Sequence, residues 1–255
     1  SKFKKSEITN FRDFAINKYG EKIASKFLLD YSQKLWGLPC ENLSTEIAGN
    51  RLKGLDFRSI FFELFGFNNK KVKHLDGSFH YPKNGIWSIF EKLTENAGIE
   101  KFHLNNRITQ IFHKDNKISS VKINNDKIVE TDFVVSSIPI DKFINGLNPP
   151  PPKEIIELTK YIKYRDLFLI IFLLDKESVN KNGSMYFPSK DYPFTRIYEP
   201  RNRSKFMSPE NKTSLVVEIP INKNSILIEK EKSDLITKVE NQLTDIGFFE
   251  NDQII

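Results

Sequence analysis

The chain has 255 residues, 39% of them hydrophobic, and a formal net charge of +6, which allows one large domain or two small ones with a buried core. Its single cysteine, Cys40, excludes an internal disulfide, and its longest apolar run, residues 167–174, is far shorter than the ~18 residues of a membrane-spanning helix. Lysines spread along the whole chain do not form the basic stripe typical of nucleic-acid binding. We therefore expect a cytoplasmic protein without a membrane span or a nucleic-acid partner.

The first part of the sequence has helical periodicity. Apolar residues recur at every fourth position from Ile23 through Phe27 and Tyr31 to Leu35, which predicts a helix with one buried face. The helix is expected to end before Pro39, because the residue before a proline disfavours helical backbone.

Two further helices are predicted before residue 100. Ser44 is a suitable N-cap for a helix that carries Ile47 and Leu52. Residues 86–97 form another apolar helical face, and Gly98 is expected to end that helix.

The pattern after Gly98 predicts strands. Residues 107–112 and 117–124 alternate, and the turn residues at 124–126 lead these strands into a β-meander. A short buried strand is predicted at 134–135. The four prolines at 149–152 predict a stiff extended connector and a domain boundary.

The last hundred residues predict an antiparallel sheet followed by a helix. The strands are expected at 165–174, 184–187, 195–198 and 215–219. The final helix is expected at 233–246, with Gly247 as its stop. The predicted fold class is therefore α+β, with a helical part, a small meander and an antiparallel sheet.

Several familiar site chemistries are absent from the sequence. The four histidines have no metal-ligand spacing, and there is no G-x-S-x-G nucleophile motif. None of the 11 glycines forms G-x-G-x-x-G, the loop that lets backbone N–H groups reach a dinucleotide's pyrophosphate. The sequence therefore predicts no metal site, and it identifies neither a catalytic residue nor a general base.

One candidate ligand-binding group lies at the end of the predicted first helix. Tyr31, Lys34 and Trp36 supply a phenol, an ammonium and an indole, which suit an anionic or flat, ring-bearing ligand. Alternatively, the aromatic rings pack inward and Lys34 interacts with the negative end of the helix dipole.

Two other segments each have a functional and a structural interpretation. Gly85, after Tyr81 and Pro82, could let the backbone approach a ligand at a helix N-terminus, or it could belong to an ordinary loop. Arg196 has the planar fork that binds phosphate oxygens bidentately. Its alternative role is a surface Arg–Glu cross-strand pair, which would contribute little to stability.

Four sequence blocks together carry a resemblance to a known superfamily. They are residues 31–37 (YSQKLWG), 81–85 (YPKNG), 132–139 (DFVVSSIP) and 193–199 (PFTRIYE). They resemble the middle of FAD-dependent amine oxidases, protoporphyrinogen oxidases and UDP-galactopyranose mutases. The resemblance covers nearly the whole chain, but the family's N-terminal glycine loop and its C-terminal flavin-covering segment are not found in it.

The resemblance implies FAD as the cofactor and divides the chain into three parts. Residues 1–98 would be the helical part of a substrate domain, 99–148 a β-meander of an incomplete FAD-binding domain, and 149–255 the antiparallel sheet of the substrate domain. The expected FAD contacts are Ile108, Ser137, Pro139, Tyr81, Pro82 and Gly85. The expected substrate contacts are Arg196, which would face a diphosphate, together with Tyr31, Lys34, Trp36 and Glu218.

Three functions follow as hypotheses. The first is the substrate domain of an FAD-dependent oxidoreductase that oxidises a small molecule by hydride transfer to flavin. The second is a UDP-galactopyranose-mutase-like enzyme that acts on a nucleotide sugar. The third is a non-catalytic module that binds an anionic ligand at Arg196 and Lys34. An isolated domain would expose apolar surface, so we also expect self-association.

Overall fold

The computed structural model describes residues 8–48, 79–124, 126–222 and 229–255. The chain divides into two compact units, one of residues 1–88 with 165–255 and the other of residues 89–164. These limits differ from the divisions after residues 98 and 148 that the sequence suggested. The fold contains helices and two four-stranded sheets, which confirms the predicted α+β class.

The first unit begins with a helical segment. It contains α1 (Phe11–Tyr19), α2 (Glu21–Ile23), a π-helical stretch (Ala24–Leu29) and α3 (Asp30–Trp36). The Asn10 side chain caps α1 by accepting a hydrogen bond from the backbone N–H of Asp13. Gly37 ends α3 in the left-handed conformation, with φ of 69°, just before the proline predicted to stop it.

The predicted buried face of this segment was wrong. Ile23, Phe27 and Leu35 are exposed, whereas Ala24 and Leu29 are buried. The π-helical stretch contains wider turns than an α-helix, so a repeat of four residues no longer marks one face across it. Small Ala24 also allows close packing in the cluster that contains Phe11, Ala15, Leu29, Cys40 and Leu43.

The sheet of the first unit holds four antiparallel strands in the order β5-β8-β7-β6. Their bounds are β5 (Arg165–Leu174), β6 (Met185–Tyr186), β7 (Arg196–Tyr198) and β8 (Thr213–Asn222). Together they confirm the predicted strands. Helix α7 (Glu229–Ile246) supplies Val239 and Leu243 to the same buried cluster as Ile197 and Val217 of the sheet.

Alternation along β5 separates the two faces of this sheet. Ile170, Phe172 and Leu174 belong to the buried core. The intervening residues are exposed large hydrophobics, namely Leu167, Leu169, Ile171 and Leu173. One face of the sheet is therefore packed, and the other is open over β5.

The second unit contains the predicted meander. Strands β1 (Ile108–Lys114), β2 (Lys117–Ile123) and β3 (Lys127–Glu130) pair antiparallel in sequence order. Strand β4 (Leu147–Asn148) pairs parallel with β1. The same unit contains the helices α5 (Ile140–Asn145) and α6 (Lys153–Thr159). The predicted meander is confirmed, whereas Asn125, in the turn predicted at 124–126, lies outside the described residues.

The short strand predicted at 134–135 is not formed. The backbone there has no regular structure, and the side chains of Phe133 and Val135 are 87% and 101% exposed. A strand needs a neighbour to satisfy its backbone groups, and none of the described strands pairs with this stretch. An apolar run alone was therefore a misleading signal.

Three other predictions have mixed outcomes. Helix α4 (Trp87–Ala97) forms and is followed by Gly98 with φ of 92°, but its apolar face at Ile89, Phe90 and Leu93 is exposed. Ser44 precedes a short 3-10 helix, Thr45–Ala48, and Leu52 lies outside the described residues. The prolines at 149–152 form neither helix nor strand, as predicted.

Candidate functional site

Three side chains form a row across the first unit's sheet. Tyr186 on β6 lies opposite Arg196 on β7, and Arg196 lies opposite Glu218 on β8. Residues opposite one another in register share a face. In the next row, Ile197 and Val217 are fully buried in the core, so the row of Tyr186, Arg196 and Glu218 lies on the open face.

Arg196 and Glu218 make a bidentate ion pair. The Arg196 Nε–Glu218 Oε2 distance is 2.8 Å and the Nη2–Oε1 distance is 2.5 Å. Hydrogen bonding to Glu218 raises the pKa of Arg196 above its usual range; burial opposes this and a hydrogen bond with Tyr186 adds to it. The cross-strand pair that the sequence offered as the structural alternative is thus present, and it fixes the direction of the guanidinium.

A tyrosine and a second arginine extend this row. Tyr198 follows Arg196 by two residues on β7, and its ring centre lies 5.4 Å from the guanidinium carbon of Arg196. The guanidinium carbon of Arg203 lies 4.9 Å from the same ring centre. Arg196 and Arg203 carry two positive charges against the one negative charge of Glu218. The cluster therefore keeps a positive charge, which suits an anionic ligand.

Tyr31 of α3 reaches the same cluster. Its ring meets the Tyr186 ring edge to face, with centres 6.1 Å apart. Trp36, on the same helix, is 46% exposed. All five substrate-contact residues expected from the sequence lie in the first unit. Tyr31 and Arg196 both lie next to Tyr186.

Lys34 has protein partners instead of an open position. Its ammonium donates to the backbone carbonyls of residues 187, 189, 192 and 194 at 2.6 to 3.2 Å. Burial lowers the pKa of Lys34 to about 8, while Asp30 and Asp191 oppose that shift. From the sequence we expected the Lys34 ammonium to contact a ligand, whereas here it donates hydrogen bonds to backbone carbonyls.

A cavity of about 410 Å³ lies at the C-terminal end of α3. Arg165 and Lys190 are among its lining residues. The Arg165 guanidinium donates to the Lys34 carbonyl at 3.0 Å and to the Asn222 side chain, and it lies where any side chain at Gly37 would have to be. Arg165 thus stabilises the end of α3.

Three of the expected FAD contacts, Tyr81, Pro82 and Gly85, lie in the first unit. Gly85 is buried with φ of 90°, and a Cβ atom there would come within 2.9 Å of the Met207 sulfur. Packing against Met207 and the positive φ explain this glycine without a ligand.

The other three expected contacts lie in the second unit. Ile108 is the first residue of β1, Ser137 is exposed, and Pro139 immediately precedes α5. The six residues are thus divided between two units. The sequence has no G-x-G-x-x-G loop, whose backbone N–H groups bind the diphosphate of a dinucleotide. The six residues include no cationic side chain, so by themselves they do not fit the flavin's diphosphate.

The described part of the chain holds no group of three or more His, Cys, Asp or Glu residues able to bind a metal ion. Its helices include none long and apolar enough to span a membrane.

The fold resembles those of several solved structures. A crystal structure of reduced UDP-galactopyranose mutase matches with a TM-score of 0.83 at 21% identity, over 100% of this chain and 55% of that one. A protein from Exiguobacterium sp. assigned as a protoporphyrinogen oxidase matches with a TM-score of 0.66 at 14% identity, over 100% and 56% of the two chains. An oxidoreductase from Methanosarcina mazei matches with a TM-score of 0.61 at 12% identity, over 97% and 54%.

The sequence comparison is more specific than the fold. The family model of UDP-galactopyranose mutase matches residues 26–245. The chain therefore belongs to the UDP-galactopyranose mutase family, and the resemblance to that superfamily is confirmed. The chain spans little more than half the length of the solved structures it resembles.

Sequence reasoning missed three members of the cluster. Tyr198 could have been found, because alternation places it on the same face of the strand as Arg196. Tyr186 and Arg203 come from a two-residue strand and a turn, and only the strand register and the ring contacts reveal them.

Proposed function

We propose that this chain is the nucleotide-sugar-binding part of a UDP-galactopyranose-mutase-type enzyme. The observation that carries the proposal is the row of Tyr186, Arg196 and Glu218 on the open sheet face, in a chain that matches the mutase family over residues 26–245. The family match and this row of side chains favour the mutase hypothesis over the oxidoreductase hypothesis.

The chemistry of the cluster suits a nucleoside diphosphate. Guanidinium groups bind phosphate oxygens with paired N–H donors, and the Glu218 carboxylate holds Arg196 in one orientation. Arg203 adds a positive charge beside Tyr198. The diphosphate of a UDP-linked hexose would lie against these two arginines.

The aromatic residues would contact the uncharged parts of the same ligand. Bases and sugar faces stack on aromatic side chains, typically with about 1–3 kcal/mol per stacked base. Tyr31 and Tyr186 meet beside Arg196, and Trp36 is half-exposed on the helix that carries Tyr31. The uracil would stack on rings of this group.

Calorimetric titration with UDP tests the proposal. We expect saturable binding, weaker binding of UMP because it lacks one phosphate, and a loss of about tenfold in affinity for Arg196→Lys, which keeps the charge but loses the planar fork. Arg12→Lys is the matched control, because Arg12 pairs with Glu21 and Glu41 at another surface. Absence of UDP binding by the unaltered chain would contradict the proposal.

A further inference from the structure

The Lys34 ammonium lies among backbone carbonyls that come from one short segment. Its Nζ atom is 2.6 Å from the carbonyl oxygen of Phe187, 2.7 Å from that of Ser189, 2.9 Å from that of Phe194 and 3.2 Å from that of Tyr192. Proteins bind bare monovalent cations with rings of carbonyl oxygens of this kind. Here the cation is covalently attached to helix α3.

The segment that supplies these carbonyls is the connection between β6 and β7. It begins directly after Tyr186 and ends two residues before Arg196. The Phe187 ring packs edge to face on the rings of Tyr192 and Phe194, with centres 5.3 Å and 4.8 Å apart. The conformation of this connection therefore affects where Tyr186 and Arg196, which flank it, lie.

Carbonyl dipoles that point at one centre repel each other unless a cation lies between them. The three N–H groups of an ammonium can be shared among four acceptors at these distances. Asp30 and Asp191 are the nearby acidic side chains that favour the charged form. At neutral pH the group is charged, because the pKa of Lys34 is about 8.

We propose that Lys34 is a positioning residue whose ammonium acts as a tethered cation, holding residues 187–194 in the conformation that places Tyr186 beside Arg196. The consequence for ligand binding rests on the proposed function above, whereas the consequence for the segment's conformation does not. Lys34 would then affect ligand affinity without touching the ligand.

Chemical rescue gives the sharpest test. Lys34→Ala removes the cation and leaves the carbonyls in place. Hydrogen exchange of the amides in 187–195 should accelerate by about tenfold or more. Methylammonium or potassium ions should restore the protection of these amides. Tetramethylammonium should not restore it, because that ion is too large for the site. Lys22→Ala, at an exposed lysine of α2, should leave exchange in 187–195 unchanged. Unchanged exchange in Lys34→Ala would overturn the proposal.

The unaltered chain provides a second test that does not depend on a variant folding. In ¹⁵N spectra of the lysine ammonium groups, the Lys34 signal should be visible at neutral pH because its protons are hydrogen-bonded and exchange slowly with water. Exchange as fast as that of exposed Lys22 would contradict a tethered cation.

UDP binding separates the two proposals. If the unaltered chain binds UDP, Lys34→Ala should weaken binding by about tenfold, and methylammonium should restore affinity along with amide protection. Equal UDP affinity in both chains would overturn the positioning role. If the unaltered chain binds no UDP, the proposed function fails, and hydrogen exchange and the ammonium signal still decide the role of Lys34.

Discussion

Substitution of the buried Glu199 tests how much its hydrogen bonds contribute to the stability of the first unit. Its side chain is 0% exposed, and its carboxylate accepts hydrogen bonds from the backbone N–H groups of Val179 and Asn180, the Thr213 hydroxyl and the Asn202 amide. The shortest of these is 2.6 Å, from Thr213. Through these hydrogen bonds, Glu199 connects the residues that follow β7 with the loop that precedes β6.

The magnitude follows from these partners. In Glu199→Gln the side-chain volume is kept, but an NH₂ group replaces one acceptor oxygen, so donors that shared that oxygen face another donor. Hydrogen bonds to charged groups contribute about 1.5–3 kcal/mol each, and unsatisfied buried donors cost about 1–3 kcal/mol. We expect a loss of about 3 kcal/mol in the free energy of unfolding, and a decrease in Tm of about 6–12 °C for a chain of this length.

Urea unfolding followed by tryptophan fluorescence measures this effect. Both tryptophans, Trp36 and Trp87, lie in the same compact unit as Glu199. Glu177→Gln is the control, because that side chain is 77% exposed and its ion-pair contact with Arg201 is 4.0 Å long. Its effect should stay within about 0.5 kcal/mol. A Glu199→Gln effect no larger than the control's would refute the reasoning.

Three further predictions concern other parts of the chain. The Tyr164 hydroxyl donates to the Asp141 carboxylate at 2.6 Å, and this bond holds the pKa of Asp141 below its usual range. The stability that the bond contributes should be present above about pH 4 and lost as the pH falls through the folded pKa. Urea unfolding should therefore distinguish Tyr164→Phe from the unaltered chain only above that range. The exposed apolar residues of β5 predict self-association, which sedimentation equilibrium should detect and Ile171→Lys should reduce; a monomer at every concentration would contradict it. FAD titration followed by visible absorbance should show no stoichiometric binding, because the sequence has no glycine loop, whereas tight binding would show that other residues hold the diphosphate.

The sheet and the meander were predictable because their signals are local. A continuous apolar run at 167–174 marks β5, a stretch rich in β-branched residues marks β8, and the turn residues at 124–126 mark the β2–β3 connection. Helix α7 was predictable for the same reason, since Val239 and Leu243 repeat with helical spacing and are buried. The two-residue strand β6 forms its strand hydrogen bonds with β7. The apolar residues around it were nevertheless enough to predict a strand at 184–187.

The remaining features depend on contacts that a sequence does not display. The π-helical stretch at Ala24–Leu29 changes which side chains are buried, and residues 134–135 have strand-like composition but no partner. In the site, Arg196 and Tyr31 were found through family resemblance. The position of Lys34 among carbonyls was not, because those carbonyls come from residues more than 150 positions away.

Arginine side-chain NMR during a UDP titration is the most direct test of a nucleotide-sugar site on the open sheet face. We expect the Nε–H signals of Arg196 and Arg203 to shift together and saturate, while that of Arg12 does not move. Shifts confined to Arg165, which lines the cavity at the end of α3, would place the ligand there and not against Arg196. No saturable shift at Arg196 would contradict a nucleotide-sugar site on the open face of the sheet.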